Sequence, residues 1–118
     1  MSVEVHSVTP QTGKLAIDIR ISATVNVTAF SARQKVTSFV ADEISTNMHG
    51  DEPRLIVGER ICWRVPVILS MPPTGDRGEV GAIDVDIETG QLMVTGALVE
   101  EIERRAEYLA AHPAPPSA

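Results

Sequence analysis

The sequence predicts an α+β fold: an antiparallel sheet of about four strands on one main helix, with an extra long N-terminal strand and a C-terminal helix. Three observations predict it. Leu15–Val27 and Arg60–Met71 alternate apolar and polar residues with the period of two that a half-buried strand requires. Thr28–Asn47 and Ala97–Ala111 instead space their apolar residues as helices do. Gly- and Pro-containing turns separate these blocks.

Each element has its own warrant. Val3, Val5 and Val8 suit a short first strand before the turn-forming Thr9-Pro10-Gln11-Thr12-Gly13. From Leu15 to Val27 every odd position is apolar, and a bend near Ser22–Thr24 would relieve so long a strand. Thr28 is a natural N-cap, with Ser31 and Gln34 offering a capping box one turn later. Ala29, Ala32, Val36, Phe39, Val40, Glu43 and Ile44 share a side of that helix, and Gly50 is placed to cap its end. Arg54–Gly58 is a short strand, Gly58-Glu59 a tight turn, Pro72–Gly78 a hairpin loop, and Glu79–Glu88 a third strand. Gln91–Val94 continues briefly after the Thr89-Gly90 turn. Leu98, Ile102, Ala106 and Leu109 then form a narrow stripe on the last helix, with acids before bases as the helix dipole prefers.

A loop centred near residue 75 gives the two long strands an antiparallel register. It sets Trp63 against Ile87, Val65 against Val85 and Arg64 against Asp86, so apolar pairs share one face and an ion pair the other. Pro66 lacks an N–H, so its backbone edge should look where the short neighbouring strand has ended.

The chain has 118 residues, with 10 Lys and Arg against 16 Asp and Glu, for a net charge of -6. That length suits one domain over residues 1–111, followed by a disordered Pro-rich tail at 112–118. The acidic balance argues against a nucleic-acid partner, which calls for a basic face. Met1–His6 reads as no secretory leader, and no apolar run is long enough to span a bilayer, so the expectation is a cytoplasmic protein without membrane contact. One cysteine, Cys62, excludes an internal disulfide and a Cys-rich zinc site. With only 3% aromatics the core must be built from Val, Ile, Leu and Ala, with Trp63 as an anchor.

Trp63-Arg64-Val65-Pro66-Val67 and Gly81-Ala82-Ile83-Asp84-Val85-Asp86-Ile87-Glu88-Thr89-Gly90-Gln91-Leu92 carry a family likeness. The block from about Ala29 to Leu92 resembles PepSY-type modules of the cystatin-like α+β architecture, whose strand and turn read G-x-I-x-V-D-x-x-T-G-x-L. The resemblance covers little more than half the chain and implies a small sheet wrapped on one helix with a non-catalytic role, modulating a peptidase or another partner. The long N-terminal strand and the C-terminal helix depart from that pattern, as does the want of a leader.

Chemistry-bearing clusters each meet a plainer reading. Asp84, Asp86 and Glu88 could face a hard cation, but alternate strand positions lie about 7 Å apart and the EF-hand spacing is missing, so a solvated face with Arg64 paired to Asp86 is preferred. His49-Gly50-Asp51-Glu52 lacks a second histidine at ligand spacing and reads as a loop after a helix. Gly75–Gly81 lacks the Gly-Lys-Ser/Thr ending of a phosphate loop and enters a strand. Cys62 has no nearby base in sequence.

No catalytic, cofactor or metal residues are therefore assigned. The expectation is a non-catalytic binding protein that forms a homodimer through the Leu15–Val27 edge. Its interaction candidates are Leu15, Ile17, Ile19 and Ile21 together with Asp84 and Asp86; Trp63, Arg64, Val65 and Val85 are structural. The alternatives are a small-molecule or enzymatic pocket between helix and sheet, and an inhibitor- or antitoxin-like regulator that meets a basic protein partner with its acidic face.

Overall fold

The computed structural model of the chain describes residues 3–5, 16, 20–72 and 75–112. The fold is α+β, with two helices on a mostly antiparallel sheet. The elements run β1 (Val3–Val5), α1 (Ala29–Glu43), β2 (Met48–Gly50), β3 (Arg54–Val57), β4 (Ile61–Met71), β5 (Gly75–Asp86), β6 (Leu92–Met93) and α2 (Gly96–Ala111). The strand order is β1-β3-β4-β5-β6, with β1 parallel to β3, and β2 paired with β4 beyond the end of β3.

Both helices start where a threonine accepts a backbone N–H: Thr28 Oγ1 from Ser31 at 3.0 Å and Thr95 Oγ1 from Leu98 at 3.1 Å. α1 stops at Glu43, four residues earlier than its periodicity suggests, and Gly50 does not cap it. Gly50 lies in β2, opposite Val67, where its N–H donates to Thr37 Oγ1 and its carbonyl accepts from Arg33 Nε. A Cβ there would come within 2.9 Å of Val65 Cγ1, so glycine serves the close approach of strand and helix.

β4 and β5 pair as expected in kind but two residues away in register. Trp63 opposes Val85, Arg64 opposes Asp84, Val65 opposes Ile83 and Cys62 opposes Asp86. The cause lies in the hairpin. Gly75–Gly78 reads as loop because of its glycines, yet it belongs to β5, and the connection shrinks to residues 72–74. Single-residue bulges at Arg77 and Val80 then restore the odd-numbered inward face, helped by Gly75 and Gly78 at φ 84° and 140°. Pro66 accepts from Asp51 N at 2.8 Å, so its donor-free edge faces the gap between β2 and β3.

α1 and α2 cover the same sheet face. Ala32, Val36 and Val40 of α1, Ile102 of α2, and Val65, Val67, Ile83 and Val85 of the sheet are fully buried in one cluster. Side chains fill the centre of this layer.

The N-terminal strand is the main correction. Residues 20–26 carry no strand pairing, while Leu15, Ile17 and Ile19 lie outside the described residues, as do residues 113–118 of the tail. Asn26 and Val27 both donate to the Ile87 carbonyl, and Trp63 Nε1 donates to the Val27 carbonyl at 2.7 Å. The segment is thus tied across the end of β5. The flank of β3 is taken by β1, and β6 takes Asp84 and Val85 of β5, so residues 20–26 lie beyond the strands the sheet pairs.

Gly81 sits under α2, and a Cβ there would lie 2.8 Å from Ile102 Cγ1. Gly81→Val is expected to cost about 1–3 kcal/mol in urea unfolding by overpacking. Gly96→Ala, with open space around it, is expected to be neutral or slightly stabilising in the same assay.

Candidate interaction face

The face opposite the helices is built by the even positions of β4 and β5 and their neighbours. Parity sends Arg64, Pro66 and Ile68 of β4 to this side, with Ala82 and Asp84 of β5, Ile56 of β3 and Met93 of β6. Most of these are half-buried, but Ile56 and Cys62 are each only 4% exposed and stand apart from the main core cluster. Cys62 Sγ lies 3.7 Å from Met93 Sδ, which gives the face a small sulfur-rich apolar centre.

Charge surrounds that centre in balanced pairs. Arg64 binds Asp84 through two parallel contacts, Nε to Oδ1 at 2.9 Å and Nη2 to Oδ2 at 3.0 Å. Arg60 lies 3.8 Å from Asp86. The expected partner of Arg64 was Asp86; the shifted register gives it Asp84 instead. Asp86 also accepts from the backbone of Glu88 at 2.8 Å and Thr89 at 2.9 Å, closing the turn that Gly90 completes at φ 75°. These two N–H donors hold the Asp86 carboxyl below the usual aspartate range, with Arg60 acting in the same direction.

Burial pushes the Cys62 thiol up, and the Asp84 and Asp86 carboxylates push it further. A thiol held protonated beside two carboxylates is a poor nucleophile. Among the described residues no group of three His, Cys, Asp or Glu side chains is placed to hold a metal ion. Arg64, Asp84, Cys62 and Met93 line one cleft of about 720 Å³ with Ile56 and Arg60.

The structure brings the chain just after Ile21 to the Asp86 turn. Ser22 and Ala23, next to Ile21, share a cleft of about 350 Å³ with Arg60, Asp86 and Glu88. Ile21 and Val25 are 49% and 56% exposed. His49 stands in β2 opposite Ile68, while Asp51 and Glu52 lie 3.9 and 3.8 Å from Arg33, so that cluster is spread over two elements. Sequence reasoning missed Ile56, Arg60 and Met93. The parity of Arg54–Val57 against Arg60–Met71 would have found the first, but the others depend on how a turn and a two-residue strand close over β5. A scan of protein-family models finds no match to the chain, and neither do searches of curated proteins and of solved structures. No helix among the described residues is long and apolar enough to cross a membrane.

The Asp86 turn has a pH signature. A carboxyl whose folded pKa is depressed adds stability above its unfolded pKa, and that contribution fades as pH falls through the folded value. Asp86→Asn, which keeps an acceptor and removes the charge, is expected to lower the melting temperature at pH 7. The gap from the parent should close as pH drops below about 4. A gap constant from pH 7 to pH 2 would contradict the assignment.

Proposed function

We propose that this protein is a non-catalytic binding module that pairs with a second copy of itself through the segment 20–27 and the adjoining helix-free sheet face. One observation carries the reading: residues 21–27 keep strict strand alternation, yet they have no ladder and leave Ile21 and Val25 about half exposed. A strand pattern unsatisfied within the chain is satisfied by antiparallel pairing with the same segment of another copy, the isologous arrangement commonest in homodimers.

Electrostatics favours the same place. Two copies of a chain with net charge -6 repel each other over most of their surfaces. Around the helix-free cleft Arg54, Arg60 and Arg64 stand against Glu59, Asp84 and Asp86, so charge is locally balanced and approach is least opposed. The rows of β3 to β6 offer roughly 460 Å² in plan, and residues 20–27 add to this towards the ~800 Å² per partner of a standard interface. A non-catalytic role is also what the PepSY-type resemblance implies.

Light scattering at ~50 µM, well above the Kd of a stable dimer, tests the proposal. The expected mass is twice 12.7 kDa. Ile21→Asp combined with Val25→Asp is expected to return it to one chain, while Phe30→Ser, an exposed residue of α1, should leave it paired. A monomeric parent protein overturns the reading.

A further inference from the structure

We propose that the groove between the end of α1 and the C-terminal half of α2 binds a partner segment that presents apolar and cationic side chains together, an amphipathic basic helix. The groove is a cleft of about 290 Å³ whose floor is Ile44, Met48, Leu69 and Met71, closed on one side by Ala106 and Ala110. It continues past Met71 into a second cleft of about 440 Å³ at the hairpin tip. Such a floor accepts the i, i+3, i+4 apolar ridge of a helix.

Three features set the sign of the occupant. Glu103 and Glu107, one helical turn apart, stand on the rim, both exposed and, among the described residues, without a cation within ion-pair distance. The nearby Arg105 is turned the other way, donating to the Glu79 carbonyl at 3.0 Å. α1 ends at the groove, where Ile44 and Ser45 join its lining, and has no basic residue in its last turn. Two carboxylates beside the C-terminal end of α1, around an apolar floor, favour Lys or Arg flanking the apolar ridge. The floor supplies contact area and the rim supplies charge, so a basic amphipathic segment is favoured over an acidic or uncharged one.

The groove lies on the helix side of the sheet, away from the pairing surface proposed above, so the two proposals fail separately. The test uses the full chain and fluorescein-labelled Leu/Lys helical peptides of about 14 residues, four turns long. Anisotropy should show saturable binding of one peptide per protomer, whatever the oligomeric state. Glu103→Gln with Glu107→Gln is expected to weaken it at least about fivefold, whereas Glu100→Gln with Glu101→Gln, outside the groove, should leave it unchanged. Replacing Lys by Glu or Leu by Ser in the peptide should abolish binding. Equal binding of either altered peptide, indifference to the Glu103 and Glu107 changes, or no saturable binding overturns the proposal.

Discussion

Two single-residue bulges in β5, at Arg77 and Val80, fix which side chains look at the helices and which look away. Each bulge flips the alternation, and two together restore it with a net displacement along β4. Val65, Val67, Ile83 and Val85 then fall under α1 and α2, and Arg64 meets Asp84 on the opposite side. β2 and β3 attach to β4, β1 to β3 and β6 to β5, so every strand inherits its position from this hairpin. Gly50 and Gly81 are where the backbone must come nearest to Val65 and Ile102.

Both proposed surfaces follow from that division. A sheet with both helices on one face keeps its other face for contact, and here that face is neither strongly apolar nor strongly charged. Its Arg–Asp pairs are satisfied within the chain, so a partner need not supply a counter-charge to every group it covers. The helix side works differently. Its groove is acidic because Glu103 and Glu107 stand on its rim beside the C-terminal end of α1. One surface suits a copy of the chain, and the other suits something basic.

Much of the fold was legible because its signals are local. Thr28 marks the start of α1 by chemistry visible in a few residues, and the Ile102 stripe and the inward odd positions of β4 follow from periodicity. The Thr95 cap, which starts α2 one residue before the expected Ala97, was not read. The register was not legible, since Gly75-Asp76-Arg77-Gly78 has the composition of a loop and becomes strand only through pairing with Leu69–Met71. The early end of α1 was hidden for a similar reason: Met48–Gly50 is claimed by β4, a long-range bond that outweighs the helical pattern. In the segment ending at Val27, alternation announced a strand but could not say whether an edge was free to receive it. Of the interaction candidates, Ile21 stands exposed beside the cleft of Asp86, and Asp84 is engaged by Arg64.

Cross-strand disulfide trapping tests the hairpin register most directly. With Cys62 replaced by Ser, cysteines introduced at positions 64 and 84 face each other directly, about 4.5–5.5 Å apart at Cβ, whereas 64 and 86 are diagonal at about 7–8 Å. Oxidation is predicted to close the 64–84 pair and to leave the 64–86 pair as free thiols. Efficient closure of the 64–86 pair with an open 64–84 pair would contradict the register on which both faces rest.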